Sequence, residues 1–471
     1  MTPISGNDLK RAGWKPARSF GLAKQAAKVL SEETLEPADA IMTLLNACRD
    51  NPEAHLKDPR LEALACALVE EQEDAAESVA AELGPAKPYP IWGPELIDPG
   101  AIEQMDVAMR LPIAVAGALM PDAHIGYGIP IGGVLETRDA VIPYAVGSDI
   151  ACRMRLTVFD VPASDLDRMP DRYQHALRDG TTFGAGRENN RKLDHDVLDR
   201  DWNATPQLRQ LKDKARRQLG TSGSGNHFVE WGELAYVDDP SHPLLALLSH
   251  SGSRGVGFQI ADRFSKLAEK RRKCDLPPEA IKLAWLDLDS ADGQEYWVSM
   301  EMAGAFASAN HEVIHQTVAG LATLKPKLVR QVTENHHNWA WRAEGPDGSA
   351  RVTHRKGATP AGRGVMGVIP GSMAAPGYVV EGLGNKESLE SASHGAGRAM
   401  GRREAERTIT KTERNRILAD RHITLIGGGI DESPQAYKPI DLVMAAQRDL
   451  VVVRAQFTPR IVRMAEGGPD I

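Results

Sequence analysis

The sequence predicts a mixed α/β (α+β) protein in which a small helical N-terminal extension, residues 1–86, precedes one large catalytic domain, residues 91–471. Three observations carry this expectation. At 471 residues the chain exceeds what one small core usually organises. Apolar residues early in the chain recur at helical spacing. After Trp92 the texture changes to short apolar runs closed by glycine-rich turns.

The elements follow in order. From about Leu22 to Leu83 the pattern is helical: Ile41, Leu44, Leu45 and Cys48 share one face, and Leu61, Leu64, Ala65, Leu68 and Val69 share another. Gly84-Pro85-Ala86-Lys87-Pro88-Tyr89-Pro90 then breaks the helix and reads as a linker, since proline removes a helical donor and glycine favours turns. The runs Ile129 to Leu135, Arg153 to Phe159, Leu244 to Leu248 and Val365 to Ile369 read as strands. Ser299 to Gln316, Ser388 to Arg407 and Pro439 to Arg448 read as helices between them. Both periodicities alternate without a repeat of about 20 to 50 residues, so a single α/β domain is expected.

Composition narrows the function classes. Hydrophobic residues at 42% and charged residues at 25% are ordinary globular values. A net charge of -8 and a pI near 6.0 argue against indiscriminate adhesion to nucleic acid while leaving room for a local basic groove. The basic runs Lys270 to Lys273, Lys212 to Arg217 and Arg398 to Arg416 each read as solvated helix faces. Four scattered cysteines, Cys48, Cys66, Cys152 and Cys274, are no disulfide framework and fit a reducing cytoplasm. No leader pattern and no run of about 18 apolar residues stands in the chain, so a soluble cytoplasmic protein without a membrane partner is expected.

Chemistry-bearing residues cluster in glycine-rich segments. Ser393-His394-Gly395-Ala396-Gly397-Arg398 precedes the helix-prone run Ala399 to Ala405, which predicts His394 at a helix N-terminus, where unpaired amides and the dipole hold phosphate. Asp149 and Cys152 lie three apart in a turn and are able to grip a metal. Gly220 to Phe228 reads as a flexible loop ending on Asn226 and His227. His250 stands at a strand end, with Arg254 placed for a bidentate hold on phosphate oxygens, and Asn335-His336-His337-Asn338 offers two imidazoles. His354 to Thr359 and Ile369 to Met373 have the character of phosphate-handling loops, although no Walker string occurs. A rival motif, His311-Glu312-Val313-Ile314-His315, satisfies the zinc-peptidase pattern and would put both imidazoles on one helix face.

Taken in order, these segments resemble the RtcB family of GTP-dependent RNA ligases from about Trp92 to the C-terminus. The matching strings include Met120 to Gly128, Val146 to Cys152, Gly220 to Glu230, His250 to Gly257, Arg355 to Ala358, Ile369 to Met373, Gly382 to Asn385 and Ser393 to Met400. The resemblance implies two manganese ions, one on Asp149 and His227 and the other on His250 and His337, bridged by the Cys152 thiolate. It implies His394 as the residue that accepts GMP from GTP. Asn226, Phe228, Glu230, Pro370, Gly371, Ser372, Met373, Gly395, Ala396, Gly397 and Arg398 would bind the nucleotide, and Arg254 and Lys356 would hold RNA or triphosphate oxygens. The implied partner is RNA with 3′-phosphate or 2′,3′-cyclic phosphate ends and 5′-hydroxyl ends, with room for an activating protein partner. Two positions depart from the family pattern: Glu466 stands where a lysine usually meets the guanine carbonyl, and Gly377 stands where a serine commonly precedes the aromatic Tyr378. Two further alternatives remain from the residues: a metal-dependent RNA-end-binding protein or nucleotidyltransferase with altered nucleotide preference, and a metallopeptidase.

Overall fold

Four helices, Gly6–Arg11, Arg18–Glu33, Ala38–Asp50 and Glu62–Glu77, occupy the N-terminal stretch. The computed structural model describes residues 4–14, 18–33, 37–77 and 83–466; the end of the predicted helical run, 78–82, lies outside them. The apolar spacing does what it predicts, since Ile41, Leu45, Cys48, Leu61, Leu64, Ala65 and Leu68 join Leu9, Trp14 and Leu30 in one buried cluster. Trp14 donates its indole N–H to Asn46 (2.9 Å), and Arg49 donates to the carbonyl of Ala12 (2.9 Å). Met1–Glu82 with Cys274–Pro277 form one compact unit, and Leu83–Lys273 with Pro278–Ile471 form the other.

The second unit is built on an eight-stranded sheet. Its order runs Val329–His336, Arg153–Pro162, Asp239–Ser251, Phe228–Tyr236, Val451–Met464, Gly377–Gly382, Met366–Ile369, all antiparallel, with Thr424–Ile426 added parallel to Val451–Met464. Side chains alternate across it. Phe159, Trp231, Leu245 and Leu247 face the helices Pro170–Gly180 and Ala291–Leu321, packing on Tyr173, Ile314 and Val318. Met154, Leu156, Ala246 and Leu248 face the other way, against Val368, Val379 and Phe457.

A second sheet of four strands runs Ala114–His124, Ile131–Arg138, Ala350–Lys356, Asn338–Glu344. The chain leaves the large sheet at His336 and enters the small one at Asn338, so His337 is the junction residue. The predicted helix Ser299 to Gln316 lies inside the longer Ala291–Leu321, and Pro439 to Arg448 shortens to Ile440–Ala445. Ser388 to Arg407 is not one helix: it contains the strand Ser391–Ser393, a loop, and only then the helix Arg402–Thr408. Serine and glycine stand where a continuing helix would need longer side chains to pack. Among the described residues no helix is long and apolar enough to cross a membrane.

Candidate active site

Strand register delivers four chain segments to one end of the large sheet. Arg153 pairs with both Ser251 and His336, while Phe228 pairs with His250. Cys152, His227, His250 and His337 sit on or beside these positions and therefore converge. His227 Nε2 lies 3.1 Å from Asp149 Oδ2 and 3.4 Å from Cys152 Sγ. His250 Nε2 lies 3.1 Å from Cys152 Sγ and 3.2 Å from His337 Nε2. Two groups of metal-ligand type result, Asp149–Cys152–His227 and Cys152–His250–His337, with Cys152 common to both. The sequence places these five together only by resemblance; the structure brings them into two groups that meet at Cys152.

The imidazoles are held in a form suited to a cation. The Nδ1 of His227 donates to the carbonyl of Ser222 (2.9 Å), and that of His250 to Asn226 (3.1 Å), which leaves each Nε2 lone pair aimed at the cluster. Burial, with neighbouring imidazoles adding to it, holds His250 and His337 well below their usual range, so both are neutral at pH 7. Lone pairs this close repel unless a cation or proton lies among them, and that donor chemistry fits divalent metals. His336 turns away and stacks on Trp341 at 5.1 Å and 7°.

His394 is presented differently from the expectation. It follows the strand Ser391–Ser393, whereas the next helix starts only at Arg402, so His394 does not stand at a helix N-terminus. The anchoring group is instead Asp122, a fully buried carboxylate in the segment Met120 to Gly128 that no local motif singles out. Asp122 Oδ2 accepts from His394 Nδ1 (2.6 Å), the His394 backbone N–H (3.1 Å) and the Gly395 N–H (3.3 Å). The two backbone amides are spent on a side chain and are not free for phosphate. Burial would raise the Asp122 carboxyl, but the charge and hydrogen bond of His394, with Lys438 nearby, outweigh it and hold it low. Lys438 donates to the carbonyls of Ala123 (2.7 Å) and Pro121 (3.2 Å), fixing the segment that carries Asp122. Gly397, at φ +70°, has no room for a side chain, since a Cβ there would meet the Asp122 carbonyl at 2.1 Å. The His394 ring lies 5.0 Å from that of His337.

A cavity of about 490 Å³ opens beside this imidazole. Asn226, Phe228, Glu230, Pro370, Gly371, Ser372, Met373, Gly395, Ala396, Gly397 and Arg398 all line it, together with His250, His337 and His394. Burial alone pushes the Glu230 carboxyl well above its usual range. Gly377 also lines the cavity and offers it no side-chain polar group.

Several expectations need correction. Arg398 lines the cavity and is anchored there: its Nη2 donates to the carbonyl of Asp431 (2.7 Å) and its Nε to that of Met400 (3.1 Å), while Nη1, 3.5 Å from Glu432, makes no hydrogen bond. Residues 354–359 are no exposed loop, because they belong to paired strands and His354, Arg355, Lys356 and Thr359 are buried. Gly220 to Phe228 is not a free loop either, since Thr221–Gly223 pairs with Thr182–Phe183. Arg254 and Lys356 do not line the cavity. Arg254 Nη1 approaches His227 Nδ1 at 3.4 Å, and Lys356 donates to the carbonyl of Tyr127. Glu466 is exposed and also stands outside the cavity lining; Gly467 lies outside the described residues.

The zinc-peptidase pattern lies on the other face of the sheet. Strand alternation turns Ser249 away from His250 and toward the helix Ala291–Leu321. There its hydroxyl meets His311 Nδ1 (2.7 Å) and His315 Nε2 (2.8 Å), while His315 Nδ1 meets the Thr157 hydroxyl (2.8 Å). Burial brings His311 down to about 3. Glu312 points outward and accepts from Gln316 (2.9 Å).

Comparison with known proteins agrees with this geometry. A family model described as tRNA-splicing ligase RtcB matches residues 104–209 and 199–465. The chain is similar to the RNA-splicing ligase RtcB of Escherichia coli K12, with 35% identity over 361 residues, covering 71% of this chain and 86% of the relative. It is 30% identical over 422 residues to the RNA-splicing ligase RtcB of Mycobacterium tuberculosis H37Rv, covering 75% and 97%. The tRNA-splicing ligase RtcB of Archaeoglobus fulgidus is 29% identical over 444 residues, covering 79% and 90%.

Proposed function

The chain belongs to the RtcB family of splicing ligases, and from that premise we propose that it joins RNA 3′-phosphate or 2′,3′-cyclic phosphate ends to 5′-hydroxyl ends through a guanylylated His394. The observation that carries the reading is the Asp122–His394 pair. With Nδ1–H bonded to a buried carboxylate, the reactive lone pair is on Nε2, beside the cavity and next to His337.

In this reading Nε2 attacks the α-phosphorus of GTP, an N–P bond forms and pyrophosphate leaves. Asp122 offsets the positive charge that the imidazole gains. An RNA 3′-phosphate oxygen then takes the guanylyl group, breaking the N–P bond. The 5′-hydroxyl attacks the 3′-phosphorus and GMP departs. A cyclic phosphate opens first with water to give the 3′-phosphate. Asp149, His227, Cys152, His250 and His337 would hold two manganese ions, whose charge, when bound, would be available to phosphate oxygens. Glu230 is the acceptor for the guanine edge, and Pro370 to Met373 hold the nucleotide along the cavity wall.

A nucleotidyltransferase of altered base preference is the second reading, favoured by Glu466 standing outside the cavity lining and by Gly377 in its wall. One experiment tests both. Protein incubated with manganese and α-labelled GTP acquires an acid-labile, alkali-stable label, and His394→Ala acquires none. Absence of label from the unaltered protein removes the reading; stronger labelling from ATP than from GTP supports the second.

A further inference from the structure

We propose that Tyr127 is the stacking platform for the nucleobase at the RNA 3′ end. Among the described residues Tyr127 is the most exposed large apolar side chain, at 74%, and its loop neighbour Ile125 is also exposed, at 56%. A phenol ring in water forgoes the burial that aromatic side chains usually obtain, and here two apolar side chains crowd one short turn. The turn joins the strands Ala114–His124 and Ile131–Arg138, directly after Asp122 and His124.

The ring is exposed although its backbone is held firmly. Gly126 donates to Gln104 (3.0 Å) and accepts from it (2.6 Å). The carbonyl of Tyr127 accepts from Lys356, itself buried. At Gly128 (φ +76°) a Cβ would meet the Lys282 carbonyl at 3.0 Å. A rigid base with an outward ring is preorganised for a flat partner.

Position supplies the occupant. Ile125 lines the cavity that holds His394, whereas Lys356, bonded to Tyr127 itself, is the candidate for holding RNA phosphate. The loop that carries the aromatic ring thus borders the cavity at Ile125 and is tied through the Tyr127 carbonyl to a buried lysine. An exposed aromatic face next to the site that receives an RNA end is suited to stack an unpaired base with tolerance for base identity. This inference rests on the ligase reading, because it takes the RNA 3′ end as the molecule that meets His394.

The test uses the full chain with manganese and no GTP, and a short RNA that carries 2-aminopurine at its 3′-phosphorylated terminal nucleotide. Binding quenches the fluorescence, and Tyr127→Ala abolishes the quench and weakens the affinity about 5- to 100-fold, while Tyr127→Phe and Tyr127→Trp retain both. Labelling of His394 by GTP is the same in all variants, because that step needs no RNA. Affinity within twofold of the unaltered protein in Tyr127→Ala overturns the inference, whether or not the ring then serves a protein contact. Failure of the unaltered protein to bind the RNA overturns it equally. Loss of His394 labelling in the unaltered protein counts against the ligase reading instead.

Discussion

In the proposed mechanism Asp122 decides which nitrogen of His394 is nucleophilic. A carboxylate that accepts from Nδ1–H makes Nε2 the nitrogen that carries the lone pair in the neutral ring, and it draws the two adjacent backbone amides into the same grip. Because Oδ2 accepts all three bonds, an asparagine with its carbonyl there would keep them but lose the charge that offsets the imidazolium, whereas the flipped amide would favour the opposite tautomer and forgo the backbone bonds. Asp122→Asn should therefore lower the rate of His394 labelling by about 100-fold or more with an unchanged circular dichroism spectrum. A rate within threefold of the unaltered protein would remove the orienting role. Lys356 makes a second prediction at this scale. Burial brings its amine down to about 7, so it is charged below that pH and increasingly neutral above it. If it holds RNA phosphate, affinity for a 3′-phosphorylated RNA falls about tenfold as pH rises from 6.5 to 8.5 at constant ionic strength. Lys356→Arg, always charged, should flatten that profile in a fluorescence anisotropy titration.

The long helix Ala291–Leu321 shows how an element can carry a catalytic-looking motif without a catalytic role. His311 and His315 do share one face, as the spacing predicts, but that face is pressed onto Ser249 and Thr157 beneath the sheet. Asn310, one residue away, accepts from the Gly220 N–H (2.7 Å) and donates to the Thr221 carbonyl (2.8 Å), thereby holding the segment that leads to His227. The helix supports the site from behind. Glu312→Gln should accordingly leave both His394 labelling and RNA joining unchanged, and shift stability by no more than about 0.5 kcal/mol. Loss of activity in that variant, measured with the protein still folded by thermal unfolding, would return the peptidase motif to consideration.

At the scale of the whole molecule, charge is unevenly shared. Residues 1–82 contain 9 of the 56 Lys and Arg residues but 15 of the 64 Asp and Glu residues, so most of the net charge of -8 belongs to the N-terminal stretch. The large unit is close to neutral, in keeping with RNA contact at a few buried cations and not over a broad basic surface. Much of the fold was legible because burial leaves periodic marks: the runs at 129–135, 153–159, 244–248 and 365–369 all lie in or overlap strands, and 299–316 lies within a helix. The segment 388–407 misled because small residues there tolerate a helix without demanding one. What the sequence alone determined is the inventory of donor groups and the face each takes within its own strand or helix, since side-chain direction follows a local period. Only the tertiary structure decided which strand ends meet, and that Asp122, 272 residues from His394, sets its tautomer. The physical reason is that pairing between distant strands is fixed by packing over the whole core, and no local spacing records it.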